Sequence, residues 1–283
     1  MTSVFSPDNI AVITGAASGI GRATAKMLSN MGMRVVMIDA NAEKLPAAET
    51  EVLAATKGDN SDHVLGFNID VSDRVAMQSV ADRVLREWGA PSFLMNNAAI
   101  HVHGGPGGIL DPIDNWRRIF DINLFGILNG ISAFLPAMLE GGNDAIVVNT
   151  GSKQGLTNPP GNPAYNTVKA AVNAYTQNLA HELRNRNGGK ISAHLLVPGW
   201  TTTGDNEHKS GAWRPEQVAN YMLEHVQAGD FYIICPDDET SSEMDKKRIL
   251  WQALDVVENR PALSRWHEDY AASFAEYMKK PLG

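Results

Sequence analysis

Tyr165 and Lys169 are the pair of residues whose types and spacing could exchange a proton with a small molecule. They lie four positions apart in an amphipathic stretch, Tyr165–Asn185, that predicts a helix, so their side chains share one face. A tyrosine hydroxyl has an ordinary pKa of about 10 and is a poor base at neutral pH. A neighbouring ammonium favours the phenolate and lowers that pKa towards the working pH. The spacing alone also occurs as surface decoration on helices, so its interpretation depends on the residues around it.

A glycine-rich turn, TGAASGIG at residues 14–21, lies between a predicted first strand and a helix. Gly15 permits the tight turn, Gly19 lets the backbone approach a pyrophosphate, and Gly21 lets helix and strand pack closely. The N-terminus of the helix offers unpaired N–H groups and the positive end of its dipole to phosphates. A tight turn without a ligand is the alternative, but the position of this turn favours a bound dinucleotide.

Asp39 ends the second predicted strand, 18 residues after Gly21. A carboxylate there can accept hydrogen bonds from the adenosine ribose hydroxyls and would repel a 2′-phosphate, so the sequence favours NAD over NADP. The alternative is that Asp39 caps the helix that follows. Arg22 could in principle meet a 2′-phosphate, but we expect it on the solvent side of the first helix.

The surrounding pattern predicts an α/β fold, a Rossmann-type doubly wound sheet that is mostly parallel and flanked by helices. Seven short apolar runs without polar alternation predict strands covered on both faces. The runs are Ile10–Thr14, Arg34–Ile38, Val64–Asp70, Phe93–Asn96, Ala145–Asn149, Ile191–Val197 and Phe231–Cys235. Between them lie helical patterns, among them Arg22–Met31, Arg74–Trp88 and Trp116–Leu139. We expect a single domain over residues 1–283.

Residues 236–283 predict a helical C-terminal extension of that domain. One helix is expected over Glu239–Asn259, and a final helix follows Pro261. Aromatic residues recur at helical spacing on the final helix and make one face, namely Trp266, Tyr270, Phe274 and Tyr277. This face either packs onto the domain or a sister subunit, or it forms a wall of the substrate pocket.

The composition argues against several classes of protein. The chain has 283 residues and a formal charge of −8 without a Lys/Arg cluster, which argues against a nucleic-acid or anionic membrane partner. No run approaches the ~18 apolar residues of a spanning helix, and no secretory signal is visible at the start, so we expect a cytoplasmic protein. The single cysteine, Cys235, excludes an internal disulfide and a thiolate metal site. His101 and His103 could line a pocket, lie in an ordinary loop or bind a metal, but no third ligand at suitable spacing supports the metal.

Taken in order and spacing, these motifs resemble those of the short-chain dehydrogenase/reductase family, over roughly residues 8 to 235. Two departures stand out, Ala99 where the family usually has glycine, and residues 233–238 in place of the family's usual C-terminal Val-Asp-Gly-Gly. The second departure leaves open whether the usual tail-mediated subunit contact forms. The motifs that carry the resemblance are TGAASGIG at 14–21, Asp39, Asp70-Val71, NNAA at 96–99, Asn123 in FDINLFG, Ser152, YNTVK at 165–169 and Pro198-Gly199.

The resemblance implies an oxidoreductase that interconverts a secondary alcohol and a ketone with NAD. Tyr165 would take a proton from the alcohol or give one to the carbonyl. Lys169, together with the cofactor's positive nicotinamide ring, would lower the tyrosine pKa, and it would also hold the nicotinamide ribose. Ser152 would hydrogen-bond the substrate oxygen, and Asn123 would hold a water in a proton relay from the lysine to solvent. The alternatives are an NADP-preferring carbonyl reductase and a non-catalytic NAD-binding redox sensor.

The resemblance also implies which residues contact the cofactor. No metal is expected, because hydride transfer with a tyrosine acid needs none. Family members are commonly dimers or tetramers, so we expect a homo-oligomer whose other partner is its small-molecule substrate. Besides the glycine turn, Asp39, Tyr165 and Lys169, the expected contacts are Ser18 and Ile20 at the phosphates, Asp70 and Val71 at the adenine, Asn97 and Ala98 at the adenosine ribose, Pro198 and Gly199 at the nicotinamide, and Thr203 at its carboxamide.

Overall fold

Seven strands, all parallel, form one sheet in the computed structural model, which describes residues 4–56, 62–101, 108–204 and 206–282. The strands are β1 (Ile10–Thr14), β2 (Arg34–Asp39), β3 (Val64–Asn68), β4 (Phe93–Asn96), β5 (Ala145–Thr150), β6 (Ile191–Val197) and β7 (Tyr232–Ile234). Their order across the sheet is β3-β2-β1-β4-β5-β6-β7. The order reverses between β1 and β4, and doubly wound sheets bind ligands outside the carboxyl ends of the strands at such a point. The predicted seven-stranded α/β fold is therefore confirmed.

Helices cover both faces of this sheet. In the described part of the chain they are α1 (Gly19–Asn30), α2 (Leu45–Ala54), α3 (Arg74–Glu87), α4 (Ile113–Phe120), α5 (Gly126–Gly141), α6 (Gln154–Thr157), α7 (Pro163–Arg184), α8 (Pro215–Ala228), α9 (Ser242–Val257) and α10 (Ala271–Lys279). α1, α2 and α8 pack on one face, and α3, α5 and α7 pack on the other.

The side chains of the central strands are buried on both faces of the sheet. In β1, Ala11 and Ile13 contact the cluster under α1, α2 and α8, whereas Ile10 and Val12 contact the cluster under α3, α5 and α7. Each large apolar side chain that is fully buried stabilises the fold by about 1.5–3 kcal/mol. This two-sided burial explains why the strands are apolar throughout instead of alternating.

The helix predicted over Trp116–Leu139 is wrong in one respect, because it is interrupted. A π-helical turn covers Asp121–Phe125, between α4 and α5. Asn123 lies inside this turn, and its side chain bonds the backbone of Ile100 twice. Its Nδ2 donates to the Ile100 carbonyl at 3.0 Å, and its Oδ1 accepts from the Ile100 N–H at 2.7 Å. A π turn adds a residue to the helical repeat, and apolar periodicity in the sequence does not reveal such a local insertion.

The aromatic residues of the C-terminal extension pack largely within it. Phe274 and Tyr277 of α10 contact Trp251 of α9, with ring centroids 5.2 and 5.1 Å apart. The prediction of one helical aromatic face is wrong for Trp266 and Tyr270, which lie in two separate 3₁₀ turns ahead of α10. Because a 3₁₀ turn holds about three residues, side chains there do not follow the α-helical spacing.

The stretch Ile113–Gly141, which holds α4 and α5, is long and apolar enough to cross a membrane by length and composition alone. Within the protein, 56% of its most apolar window is buried. Phe134, at the centre of α5, is completely buried against the sheet. The apolar character of this stretch is thus what a helix packed on the core requires.

Candidate active site

A cleft of about 470 Å³ opens at the carboxyl ends of β1 and β4, within the usual size range of small-molecule sites. Nearly all of the residues proposed from the sequence line it. Those residues are Gly15, Ser18, Gly19, Ile20, Asp39, Asp70, Val71, Asn97, Ala98, Ser152, Tyr165, Lys169, Pro198, Gly199 and Thr203. Gly21 and Asn123 do not line the cleft, so they can act on its contents only through their neighbours.

The glycine turn forms one wall of the cleft, and its backbone requires glycine. Gly15 and Gly19 have φ of +67° and +53°, in the left-handed region that side chains disfavour. A Cβ on Gly21 would collide with the carbonyl oxygen of Gly15, so Gly21 allows the helix to pack on the turn. A Cβ on Gly19 would lie 3.1 Å from the Cβ of Thr203, so turn and loop approach each other closely. A cradle without side chains, at the start of α1, fits a pyrophosphate.

Asp39 is fixed by backbone amides on both of its oxygens. Oδ2 accepts from the N–H of Ala17 in the glycine turn, and Oδ1 accepts from the N–H of Asn41, each at 2.9 Å. The alternative that Asp39 caps the next helix is wrong, because Asn41 accepts from the amides of Glu43 and Lys44 just before α2. The Asp39 carboxylate therefore stays at the end of the cleft where a ribose would lie.

Arg118 lies at the same end of the cleft as Asp70, a placement the sequence did not suggest. Its guanidinium is 2.9 Å from Oδ2 of Asp70, while Oδ1 accepts from the amide and the hydroxyl of Ser72 at 2.9 and 2.7 Å. Burial on its own would raise the pKa of Asp70, but the Ser72 hydrogen bonds and the Arg118 charge bring that pKa below its ordinary value. Arg22, in contrast, pairs with exposed Glu51 at 3.5 Å, on the solvent side as expected.

Asn97 joins the ends of β1 and β5 at the centre of the cleft. Its Nδ2 donates to the Thr14 carbonyl at 3.2 Å, and its Oδ1 accepts from the Thr150 hydroxyl at 3.3 Å. The backbone amides of Asn97 and Ala98 both donate to the Thr14 hydroxyl, at 2.9 and 3.0 Å. These bonds hold the end of β4 rigid beside the expected ribose position.

Ser152, Tyr165 and Lys169 come together at the other end of the cleft. Tyr165 and Lys169 lie on α7 and are 7% and 1% exposed. Ser152 acts on the Tyr165 hydroxyl and lowers its pKa, and the Lys169 Nζ donates to the Thr150 carbonyl at 2.8 Å. Lys169 also lies with its Nζ 5.7 Å from the centroid of the Tyr165 ring. Tyr165 and Lys169 thus share one face of α7, as predicted, and both side chains line the cleft.

The lowered pKa expected for Tyr165 requires the positive nicotinamide ring beside the Lys169 ammonium, so it stays a prediction for the cofactor-bound protein. Burial raises the pKa of Tyr165 above its ordinary value, and Ser152 offsets this only in part. The Lys169 ammonium is itself buried, and it donates to the Thr150 carbonyl. Burial lowers the pKa of Lys169 to about 8.

His101 stacks on the ring of Tyr165, with centroids 4.1 Å apart and planes at 22°. It lines the cleft, so the pocket-lining alternative for the histidine pair applies to His101. His103 lies outside the described residues. Among the residues that the structure describes, no group of three or more His, Cys, Asp or Glu side chains could hold a metal ion.

The C-terminal extension does not form a wall of the cleft. None of the described residues between 236 and 282 lines it. The extension instead lies behind the site, where α9 packs against α6, the short helix that follows Ser152. The alternative in which the aromatic tail encloses the substrate is therefore not supported by its position.

Fold and cleft together define a dinucleotide-binding oxidoreductase of the Rossmann type, and comparisons with known proteins agree. The chain matches the family model for short chain dehydrogenases over residues 9–214. It is 34% identical over 197 residues, which is 68% of this chain and 74% of the other, to an uncharacterized short-chain type dehydrogenase/reductase of Sinorhizobium fredii. The chain therefore belongs to the short-chain dehydrogenase/reductase family.

Two solved structures of similar proteins hold a nicotinamide cofactor. A short chain dehydrogenase/reductase from Burkholderia phymatum in complex with NAD is 30% identical, with a TM-score of 0.79 over 91% of this chain and 96% of that one. A metagenomic short-chain oxidoreductase in complex with NADP is 27% identical, with a TM-score of 0.67 over 82% of this chain and 98% of that one. The glycine cradle and the cleft described above fit such a cofactor.

Proposed function

We propose that this protein interconverts a secondary alcohol and a ketone and uses NAD as its cofactor. The observation that carries the proposal is the cluster of Ser152, Tyr165 and Lys169 in the same cleft as Asp39. Asp39 ends β2 and Ser152 follows β5, three strands apart in the sheet, or about 14 Å at ~4.8 Å per strand. A proton-transfer group and a ribose-binding carboxylate at the two ends of one cleft suit an extended dinucleotide with its reacting ring beside Tyr165.

Tyr165 is the acid and base of the proposed reaction. In oxidation its phenolate accepts the proton of the alcohol, and in reduction its hydroxyl gives a proton to the carbonyl oxygen. Ser152, which lines the same cleft, donates to that same oxygen and stabilises the negative charge that develops on it. When bound, the nicotinamide takes up or supplies the hydride.

Tyr165 can act as a base at neutral pH only if nearby positive charge stabilises its phenolate, because burial raises the pKa of this hydroxyl. With a pKa of about 8, Lys169 is mostly protonated at neutral pH and brings one positive charge to the cluster. The bond from its Nζ to Thr150 keeps the ammonium in the cleft. Bound NAD would add a second positive charge at the nicotinamide end, and a positive charge there favours the Tyr165 phenolate and lowers its pKa.

Two features at the adenosine end support NAD over NADP. The Asp39 carboxylate is held by the amides of Ala17 and Asn41, so its charge would oppose a 2′-phosphate. Arg118, a cation that lines this end, is already paired with Asp70 at 2.9 Å. A 2′-phosphate would therefore meet a fixed negative charge and a guanidinium that is partly neutralised.

The replacement Tyr165→Phe tests the proposal. We expect kcat to fall by about 10²- to 10⁴-fold, because the group that transfers the proton is lost. The dissociation constant for NADH, measured by fluorescence titration, should stay close to that of the wild type. Tyr175→Phe is the matched control, since Tyr175 lies on α7 but packs on the sheet away from the cleft. Wild-type turnover in Tyr165→Phe would contradict the mechanism.

A further inference from the structure

Lys153, the residue after Ser152, reaches back to the C-terminal extension. Its ammonium lies 3.2 Å from Oδ2 of Asp237 and 2.7 Å from Oδ2 of Asp245. Asp237 follows β7, and Asp245 lies in the first turn of α9. The Lys153 side chain is 19% exposed and the two carboxylates are 5% and 6% exposed, so the group is shielded from solvent.

Asp237 also holds the loop on the far side of the nicotinamide position. The Oδ2 atom that meets Lys153 accepts from the N–H of Trp200 at 2.9 Å, and Oδ1 accepts from the N–H of Thr240 at 2.7 Å. Trp200 directly follows Gly199, where a Cβ would lie 2.6 Å from Oδ2 of Asp237. One carboxylate therefore joins the Ser152 turn, the Pro198–Gly199 loop and the extension.

The charge of Lys153 favours the ionised form of both carboxylates. Burial would raise the pKa of Asp237, but the Trp200 amide and the Lys153 ammonium together lower it below its ordinary value. The pKa of Asp245 is raised by burial, although Lys153 and Arg248 counteract the shift. Removing Lys153 would leave two neighbouring, buried carboxylates without their shared cation, and such a pair does not stay in place.

We propose that Lys153 is a positioning residue, whose ion pairs with Asp237 and Asp245 fix Ser152 relative to the Pro198–Gly199 loop. The C-terminal extension thereby supports the reacting end of the cleft from behind, without contacting its contents. This inference rests on the proposed function, because the placement of Ser152 affects turnover only if Ser152 binds the substrate oxygen.

The first test compares the change in kcat with the change in the dissociation constant for NADH in variants of Lys153. Lys153→Met should lower kcat by about 10- to 100-fold, as expected when a catalytic group is misplaced by an ångström or so. The dissociation constant for NADH should change much less, since the glycine turn and Asp39 are distant from Lys153 in the sheet. Lys153→Arg restores the positive charge and should recover most of the lost kcat. The control, Lys246→Met, changes an exposed lysine of α9 and should behave as wild type.

The second test is hydrogen exchange, which does not depend on turnover. In Lys153→Met the amides of residues 151–157 and 199–202 should exchange faster than in wild type and in Lys246→Met. Wild-type kcat together with wild-type exchange in Lys153→Met would overturn the inference, as would equal kcat losses in Lys153→Met and Lys153→Arg. If Lys153→Met does not fold, Asp237→Asn, which keeps the shape of the side chain, is judged by the same criteria. A wild-type protein without turnover would refute the proposed function, while the exchange data would still decide the role of Lys153.

Discussion

Asp39 is the residue on which the choice between NAD and NADP depends. Its carboxylate is tied to the glycine turn and to Asn41, so its position does not rely on a bound ligand. Because the carboxylate is held at the adenosine end of the cleft, this is the residue where a single substitution should change cofactor specificity.

The replacement Asp39→Ala should relax the cofactor preference. We expect kcat/KM for NAD to fall by about 10- to 100-fold, because a hydrogen bond to a charged group contributes ~1.5–3 kcal/mol. The value for NADP should rise, since the repulsion of a 2′-phosphate is removed. Glu43→Ala, an exposed carboxylate four residues on, is the control. If kcat/KM of the wild type proves higher with NADP than with NAD, our interpretation of Asp39 is wrong.

The roles of single residues were predictable from the sequence where they follow from the residue's own type and its motif. Tyr165 and Lys169 could be proposed from their spacing and Ser152 from the family resemblance, and the structure brings the three together. Arg118 could not, because its partner Asp70 is 48 residues away and only the packing of α4 joins them. The rise that burial causes in the pKa of Tyr165 was not predictable from the sequence either, since burial depends on the whole fold.

Helices and strands position these residues, and the π turn between α4 and α5 is the element the sequence did not reveal. The apolar runs of β1 and β6 predict their bounds correctly, because strands buried on both faces leave a continuous apolar signal. The turn has no such signature. Inside the turn, the Asn123 amide bonds both the N–H and the carbonyl of Ile100, at the start of the segment that carries His101.

The replacement Asn123→Ala should therefore destabilise the π turn, because Asn123 lies in that turn and does not line the cleft. Two backbone groups of the partly buried Ile100 would lose their partner, at about 0.5–1.5 kcal/mol each, so the free energy of unfolding should fall by roughly 1–3 kcal/mol. We expect kcat to fall as well, because His101 and Tyr165 stack beside this segment. Asn178→Ala, on the exposed side of α7, serves as the control in denaturant titrations. An unchanged midpoint and slope for Asn123→Ala would show that the turn does not depend on Asn123.

At the scale of the whole molecule, the site lowers the stability of the fold that holds it. Lys169 is completely buried, and burial lowers its pKa from 10.5 to about 8. The unfolded chain binds this proton more tightly than the folded protein does, so the loss of stability is complete below about pH 8 and disappears as the pH rises to about 10.5. At ~1.4 kcal/mol per pKa unit, the loss at neutral pH is about 3 kcal/mol.

The replacement Lys169→Met should consequently remove activity and raise stability at pH 7. We expect a higher melting temperature than that of the wild type, and a difference that narrows between about pH 8 and 10.5. Lys246→Met, at an exposed position, should shift the melting temperature little at any pH. A Lys169→Met protein that is less stable than the wild type at pH 7 would show that the Thr150 hydrogen bond outweighs the burial of the charge.

The central claim is that a hydride passes between a secondary alcohol and NAD beside Tyr165. It is tested most directly by incubating the protein with NAD and a panel of secondary alcohols that carry deuterium on the carbinol carbon, followed by mass spectrometry of the nicotinamide. We predict that the wild type transfers deuterium from at least one alcohol to the cofactor and that Tyr165→Phe transfers almost none while still binding NADH. Stoichiometric NADH binding by the wild type, with no deuterium transferred from any alcohol and no ketone reduced, would contradict the account and favour a redox sensor.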